Sequence, residues 1–485
     1  MTMTSISVES MEGKLFLSGQ WVGVDNTYDL FNAEKNSLIT RIASARESHV
    51  LAAIRNGKAG AEVAAAMPVH ERMRILHGAA DVVENNRHVY IDAIVSEGCK
   101  TRREATKEVN RCIQTLRLSA EEARRINGET IAFDQMPGSE GRVGYYYRFP
   151  VGLIVAITPF NDPLNLVAHK IGPAVASGNA IIVKPAPATP LSALLLAEAF
   201  AQAGLPDGVL SVLPGFPEDM GDHLITHDDV RMISFTGGLN SGKALMQKAG
   251  LKKMSMELGA SSPALVLDDA ELGPAVEAIV SGAFWAAGQN CLGVQRVYVH
   301  RARYGEFLNT LVDRTRSLRV GSKQSEETDV GPMISLSEAE RVESWVNEAL
   351  ANGARLLCGG ERNGAFYLPT ILEKVPDNCR LAREEIFGPV VMVEPFDSLD
   401  EAIDKANGVN FGLHAGVFTQ DINKAFSAIR RLEVGGVMIN DSSDYRIDAM
   451  PFGGVKHSGI GREGVKFSIQ EMTETKVVCF KTSGF

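Results

Sequence analysis

The distribution of apolar and polar residues switches repeatedly between two periods from residue 151 to residue 257. Short runs rich in β-branched apolar residues, such as Val151–Ile157 and Arg231–Phe235, each precede a longer stretch with apolar residues at helical spacing. Strands that alternate with helices predict a parallel sheet with helices on both faces. The pattern predicts strands at 151–157, 179–183, 209–213, 231–235 and 253–257, and helices at 163–177, 190–203, 219–227 and 241–249.

A second series of the same kind begins at Pro263. It predicts strands at 264–267, 296–299, 390–393 and 435–439, and helices at 272–287, 304–318 and 401–406. The fold class is therefore α/β, with two parallel-sheet units that join near residue 258.

Two segments fit neither series. The segment 126–149 contains Gly128, Pro137, Gly138 and Gly141 between short β-prone runs, which is typical of a hairpin arm. The C-terminal run Lys476–Phe480 predicts a strand with no partner nearby in the sequence. The simplest alternative is that these segments form a small two-stranded patch on the surface.

Composition excludes several classes of protein. The 485 residues are 45% hydrophobic and 22% charged, which is typical of a globular chain, and the net charge of −10 disfavours a nucleic-acid partner. No apolar run reaches the roughly 20 residues that span a bilayer, and residues 1–7 do not resemble a signal peptide. The six cysteines form no Cys-x-x-Cys pair, so we predict reduced thiols in the cytoplasm and no metal site.

Cys291 and Glu257 are the first candidates for chemistry. Cys291 ends the stretch Gly-Gln-Asn-Cys, and Glu257 ends a predicted strand. A cysteine considered alone is more often a small buried apolar residue. A thiol that carries an acyl group, together with a carboxylate that activates water, is however the minimum needed to form and hydrolyse a thioester.

Further motifs stand at the ends of predicted strands, where open parallel sheets bind ligands. Asn161 follows Thr158, Pro159 and Phe160, and its amide is suited to stabilise an oxyanion or to cap a helix. Lys184 follows the second strand and is suited to bind ribose hydroxyls or phosphate.

Two more motifs fit a dinucleotide. Thr236, Gly237, Gly238 and Gly242 stand at a strand–helix turn, where glycines let the backbone approach a pyrophosphate. This is not the G-x-G-x-x-G fingerprint. Further along, Glu385 and Phe387 offer a carboxylate and a ring for a ribose and a planar group.

Taken together, these motifs resemble the aldehyde dehydrogenase superfamily, and in particular its succinate-semialdehyde, lactaldehyde, phosphonoacetaldehyde and sulfolactaldehyde dehydrogenase branch. The resemblance extends from Leu15 to Gly459. It implies a cofactor-binding domain of residues 1–125 and 147–257 and a catalytic domain of residues 258–460. An oligomerisation arm of residues 126–146 with 465–485 would then build a homodimer or homotetramer.

The resemblance also implies a mechanism. The Cys291 thiolate attacks the aldehyde, Asn161 and the Cys291 backbone N–H stabilise the oxyanion, and Glu257 activates water to hydrolyse the thioester. The cofactor is NAD or NADP. Its predicted contacts are Thr158, Pro159, Phe160, Lys184, Pro187, Thr236, Gly237, Gly238, Gly242, Glu385 and Phe387.

Two positions depart from the family pattern. Pro187 stands where members that prefer NAD often have a glutamate for the adenosine ribose, so a 2′-phosphate is not repelled and NADP is expected to be accepted. Pro217 replaces a glycine of the family.

Two arginines at substrate-pocket positions predict an anionic aldehyde. Arg446 aligns with an aromatic position of members that oxidise neutral aldehydes, and Arg111 aligns with an arginine that binds a substrate carboxylate. Asp162 and His169 also replace aromatic residues. Guanidinium groups suit a carboxylate, sulfonate or phosphonate.

Other interpretations stay open at this point. Arg111 could lie on a solvated helix face with Arg103 and Lys107, and Asp444 or Asp448 could neutralise Arg446. A dehydrogenase that transfers the acyl group to coenzyme A is a second hypothesis, which the presence of Glu257 disfavours. A binding homologue without catalytic activity is a third.

Overall fold

The computed structural model of the protein describes residues 11–483. Two predictions concern residues outside this range. They are the absence of a signal peptide in residues 1–7 and the part of the predicted arm formed by residues 484 and 485. No helix within the described range is long and apolar enough to cross a membrane.

The first sheet has eight strands, of which the five central ones are parallel. Among these five parallel strands, the first in the sequence is the central Leu153–Ile157; the next two lie on one side of it and the last two on the other. Sheets of this kind bind ligands at the point where the strand order reverses, here between Leu153–Ile157 and Val230–Thr236. The order across the sheet is Gln20–Gly23, Lys14–Leu17, Leu210–Val212, Ala180–Lys184, Leu153–Ile157, Val230–Thr236, Lys253–Glu257 and Gly459–Ile460.

Both faces of this sheet are covered because alternate strand residues point to opposite sides. Ile154 and Ala156 enter one hydrophobic core, and Leu153 and Val155 enter another. The helices of the first core are Val69–Asn85, Arg87–Glu97, Arg102–Ala123, Asn165–Ala176, Leu191–Gln202 and Val465–Glu471. Those of the second are Glu47–Ala66, Pro217–Met220, His223–Thr226 and Leu239–Ala249.

The second sheet has seven strands, all parallel except the outermost Arg355–Cys358. Their order is Arg355–Cys358, Thr370–Glu373, Val390–Phe396, Val294–His300, Ser262–Val266, His414–Phe418 and Gly436–Ile439. The helices of this part are Leu272–Phe284, Tyr304–Arg316, Leu336–Ala351, Arg380–Arg383, Leu399–Asn407 and Ile422–Arg431. Small two-stranded pairs complete the fold at Thr27–Phe31 with Leu38–Ala43, Arg362–Asn363 with Phe366–Tyr367, and Phe411–Gly412 with Val455–Lys456.

Two predicted helices differ from the observed ones. The helix predicted at 219–227 is two single turns, because Gly221 between them has a φ of 66°. The helix predicted at 272–287 ends at Phe284, because Ala286 and Ala287 have left-handed φ values of 50° and 54°. The prediction also omits several elements of the second sheet, including the strand His414–Phe418.

The two segments that fit neither α/β series pair with each other. Thr473–Lys481 lies antiparallel to Arg142–Pro150, which pairs on its other side with Glu129–Ile131. The boundary predicted between residues 146 and 147 falls inside the continuous strand Arg142–Pro150. The arm was also predicted to include residues 465–472, but the helix Val465–Glu471 packs in the first core because its apolar residues are buried there. The division into domains and the oligomerisation role stay predictions.

Candidate active site

The carboxyl ends of the parallel strands of the first sheet open into a cavity of about 620 Å³. Ten of the eleven residues predicted to contact a cofactor line it: Thr158, Pro159, Phe160, Lys184, Pro187, Thr236, Gly237, Gly238, Glu385 and Phe387. The eleventh, Gly242, is not among the lining residues, and its cofactor contact stays a prediction. A Cβ on Gly242 would lie 2.5 Å from Leu258 Cδ2, so this glycine allows helix and strand to pack closely.

One end of the cavity is an apolar slot that sequence reasoning missed. It lies between the single-turn helices 217–226 and the helix Leu239–Ala249. Pro217 also lines the cavity. The side chains of the slot are Met220, Leu224, Ile225, Ala244 and Leu245. The signal in the sequence was the apolar face of these helices, which becomes a slot only when they lie side by side.

The polar groups of this cavity suit a dinucleotide. Burial lowers the pKa of Lys184 to about 8, and its Nζ donates only a long 3.4 Å bond to the Pro185 carbonyl oxygen, so it retains donors for a ligand. The hydroxyls of Thr158 and Thr236 are buried and have no hydrogen-bond partner within residues 11–483. Buried polar groups without partners are unusual and fit a site completed by a ligand.

Glu385 lies against the backbone that follows the strand Lys253–Glu257. Its Oε1 accepts a hydrogen bond from Ala260 N at 2.9 Å, and burial raises its pKa to about 7. A Cβ on Gly259 would lie 2.2 Å from Glu385 Oε2, so only glycine allows this contact. The neighbouring Phe387 meets Phe160 edge to face, with ring centroids 5.7 Å apart.

A second, smaller cavity of about 370 Å³ adjoins the first. The two cavities share four lining residues, Asn161, Leu166, Thr236 and Cys291. The predicted nucleophile and the predicted oxyanion donor therefore lie where a ligand in one cavity would meet a ligand in the other. Glu257 lines the larger cavity.

Cys291 follows a tight turn, Trp285–Gly288, after the helix Leu272–Phe284. A Cβ on Gly288 would lie 2.2 Å from the Gly388 carbonyl oxygen, so this turn packs directly on the loop that carries Glu385. Burial raises the pKa of Cys291 to about 12, and Arg446 opposes that increase. The thiol is therefore protonated at neutral pH, and it needs a base to become a nucleophile.

Glu257 is 2% exposed at the end of its strand. Neither of its carboxylate oxygens has a hydrogen-bond partner among the described residues. Burial, and next the charge of Glu463, raise its pKa well above the usual range. A carboxylate in such surroundings holds a proton strongly, as a general base must.

Glu463 joins two buried cations. Its Oε1 accepts from Lys170 Nζ and its Oε2 from Arg446 Nη2, each at 2.8 Å. The Arg446 guanidinium lies 3.8 Å from the centre of the Phe452 ring and lines the smaller cavity. The residue that hydrogen-bonds to Arg446 is Glu463, and not Asp444 or Asp448, which the sequence suggested as its partners. The Nε of Arg446 is buried without a partner in the described part of the chain.

Arg111 is also paired, since it binds Asp448 at 2.7 Å and Asp162 at 3.4 Å. Arg111 and Asp162 line the smaller cavity, as predicted for substrate contacts. His169, also predicted as a substrate contact, does not line that cavity and is fully buried, with Nε2 2.8 Å from Asp448 Oδ1. His169 therefore orients the Asp448 carboxylate, which in turn orients Arg111.

Lys107 is a cavity residue that sequence reasoning assigned only to a solvated face. It lines the smaller cavity, and its Nζ lies 4.8 Å from the centre of the Trp285 ring. No ion pair of Lys107 occurs within residues 11–483. Burial raises the pKa of the nearby Asp444, and the charge of Lys107 opposes that increase. The charge of Lys107 is thus less neutralised than those of Arg111 and Arg446.

The chain is similar to known proteins over nearly its whole length. The family model described as the aldehyde dehydrogenase family matches residues 21–478. Aspartate-semialdehyde dehydrogenase 1 of Pseudomonas canavaninivorans is 49% identical over 461 residues, covering 95% of this chain and 98% of the relative. The 3-sulfolactaldehyde dehydrogenase of Priestia megaterium is 44% identical, covering 98% of this chain and 99% of the relative.

Solved structures agree. Aldehyde dehydrogenase 21 from Physcomitrella patens, in complex with the reaction product succinate, has a TM-score of 0.95 and 39% identity, covering 98% of this chain and 99% of that one. Glyceraldehyde-3-phosphate dehydrogenase from Methanocaldococcus jannaschii, complexed with NADP, has a TM-score of 0.90 and 38% identity, covering 94% and 100%. The chain therefore belongs to the aldehyde dehydrogenase family, which confirms the predicted fold class and the predicted oxidoreductase class.

Proposed function

We propose that this protein oxidises a small aldehyde with an anionic group to the carboxylic acid, with NAD or NADP as oxidant. The observation that carries the proposal is the position of Cys291 where the two cavities meet. One cavity is shaped for a dinucleotide, and the other is lined by four cationic and four acidic side chains, among which Arg446 and Lys107 keep polar groups for a ligand. The net reaction converts an aldehyde, one water and the oxidised cofactor into the acid, the reduced cofactor and a proton.

The first half of the reaction forms a thioester. A base takes the Cys291 proton, and the sulfur then attacks the aldehyde carbon while the Asn161 amide and the Cys291 backbone N–H donate to the oxyanion. When bound, the dinucleotide supplies the hydride acceptor for this oxidation. Lys184, Glu385 and Phe387 are the residues that would hold it.

The second half hydrolyses the thioester. Glu257 takes a proton from water, which attacks the thioester carbon, and the carbon–sulfur bond breaks to release the acid and the Cys291 thiol after proton transfer. The raised pKa of Glu257 supports this role, because a stronger base removes the water proton more readily.

Charge at the smaller cavity supports an anionic tail. Arg446 keeps an unpartnered Nε, and Lys107 lines the cavity without an ion pair in the described range. The named relatives act on or bind aspartate semialdehyde, 3-sulfolactaldehyde and succinate, which all carry an anionic group. Succinate semialdehyde, phosphonoacetaldehyde and sulfolactaldehyde carry an anionic group and are the candidate substrates, whereas lactaldehyde, the fourth aldehyde of this branch, is uncharged.

Formation of NADH or NADPH, measured by absorbance, tests the proposal. Succinate semialdehyde and butanal have the same chain length and differ in the terminal carboxylate, so they form a matched pair. We expect a higher kcat/KM for succinate semialdehyde without added coenzyme A. A requirement for coenzyme A would favour the acyl-transfer alternative, and no turnover of any aldehyde would favour a binding protein.

We also propose that the arm mediates homo-oligomerisation and that the protein is cytoplasmic. Thr473–Lys481 is an edge strand with Val477 and Phe480 half exposed, and exposed apolar edges are suited to pair with another chain. Light scattering of Val477→Lys, compared with wild type, tests the arm. An unchanged mass would argue against it.

A further inference from the structure

We propose that Glu104 is the positioning residue that holds the nucleophile turn in its left-handed conformation. The inference rests on the proposed role of Cys291 as nucleophile. Glu104 lies on the helix Arg102–Ala123, far from Cys291 in the sequence, and is 2% exposed.

Both oxygens of Glu104 have defined partners. Oε2 accepts from Thr101 N at 2.8 Å, which closes the capping box of its own helix. Oε1 accepts from Ala286 N at 2.8 Å. One carboxylate thus joins the start of this helix to the turn Trp285–Gly288.

The turn Trp285–Gly288 has a strained backbone, so it needs a restraint such as the hydrogen bond to Glu104. Ala286 and Ala287 have φ values of 50° and 54°, a conformation that residues with a Cβ rarely adopt. The carbonyl oxygen of Ala286 is fixed as well, because it accepts from Gln289 Nε2 at 3.0 Å and from Gln289 N at 3.1 Å. The peptides on either side of Ala286 are thereby held, one by Glu104 and the other by Gln289.

The turn sets the position of the sulfur. Trp285 lines the smaller cavity at its start, and Cys291 follows three residues after its end. A rotation of the Ala286 peptide would therefore move the thiol relative to Asn161. Displacement of reacting groups by about 1 Å is enough to lower rates on the order of 100-fold.

Glu104→Gln tests the inference, because an amide offers only one oxygen for the two backbone N–H groups. We expect kcat to fall roughly 10- to 100-fold, with a much smaller change in KM. The rate of Cys291 alkylation by iodoacetamide should fall as well. That second readout needs no turnover, so it separates this inference from the proposed function: if Cys291→Ala stays active, the function fails on its own.

Glu97→Gln is the matched control. Glu97 is likewise a buried carboxylate that accepts from backbone N–H groups, those of Leu191 and Ser192, but it does not contact the turn. The Glu97→Gln variant should lose about as much thermal stability as Glu104→Gln, but it should keep the wild-type kcat and alkylation rate. Equal losses of kcat in both variants, or none in Glu104→Gln, would overturn the proposal.

A rescue distinguishes positioning from general stability. Glycine adopts left-handed φ without strain, so Ala286→Gly should restore part of the lost kcat in a Glu104→Gln background. No recovery in the double variant would contradict the proposal. If Glu104→Gln does not fold, Glu104→Asp, which keeps the charge and shortens the reach, is subjected to the same measurements.

Discussion

Arg446 Nη2 donates a 2.8 Å hydrogen bond to Glu463 Oε2, and both side chains are at least nine-tenths buried. Arg446 therefore lines the smaller cavity and also binds Glu463, whose charge contributes, after burial, to the raised pKa of Glu257. In the proposed mechanism, binding of the substrate tail and activation of water are therefore linked through one guanidinium group.

Removal of Arg446 should affect specificity and pH dependence together. Truncation of one partner of a buried charged pair costs about 2 to 5 kcal/mol in binding, so Arg446→Met should lower kcat/KM for succinate semialdehyde by roughly 30-fold or more. Because Arg446 lowers the pKa of Glu257, its loss should also move the acidic limb of the kcat profile to higher pH. An equal loss with butanal and an unmoved profile would mean that Arg446 serves stability alone.

Lys107 should affect only the recognition of charge. Lys107→Met keeps much of the length of the side chain over Trp285 and removes the ammonium group. We expect an increase in KM for succinate semialdehyde and little change for butanal. Arg103→Met is the control on the same helix, since Arg103 pairs with Asp329 instead of lining the cavity. If Lys107→Met and Arg103→Met change the KM for succinate semialdehyde to the same extent, Lys107 has no specific role in recognising the anionic group.

Loss of the nucleophile should separate chemistry from binding. Cys291→Ala should abolish oxidation of every aldehyde, because no thioester can form, while NAD(P) binding measured by calorimetry persists. Oxidation within tenfold of wild type would remove Cys291 from the mechanism.

Glu257→Gln should stop turnover after acylation. An amide cannot take a proton from water, so a thioester adduct on Cys291 should accumulate and be visible by intact mass. In the wild type, deacylation requires the ionised carboxylate. The rate should therefore rise with pH through an apparent pKa above the ~4.3 of an ordinary glutamate.

Pro187 should permit both cofactors. It lines the larger cavity without a side-chain acceptor for a ribose 2′-hydroxyl, and its carbonyl oxygen already accepts from Tyr28 Oη at 3.0 Å. We expect activity with NAD and with NADP, and a shift towards NAD in Pro187→Glu. An unchanged ratio of the two kcat/KM values would place discrimination elsewhere.

The sequence alone determined the two α/β series and the resemblance to the aldehyde dehydrogenase family. These features are local: β-branched runs predict strands, and motifs such as the one at Cys291 keep their residue types and order. Ten of the eleven residues predicted to contact the cofactor line the larger cavity, and most of them follow strand ends, which meet at one edge of a parallel sheet.

Only the tertiary structure decided how charges are paired. Arg111 meets Asp448, and Glu104 meets Ala286, across long separations in the chain, and periodicity carries no information about such contacts. His169 shows the consequence, since its alignment predicted a substrate contact and its burial made it a partner of Asp448. A buried charge must find an opposite charge or a hydrogen bond, and which partner it finds is fixed by packing.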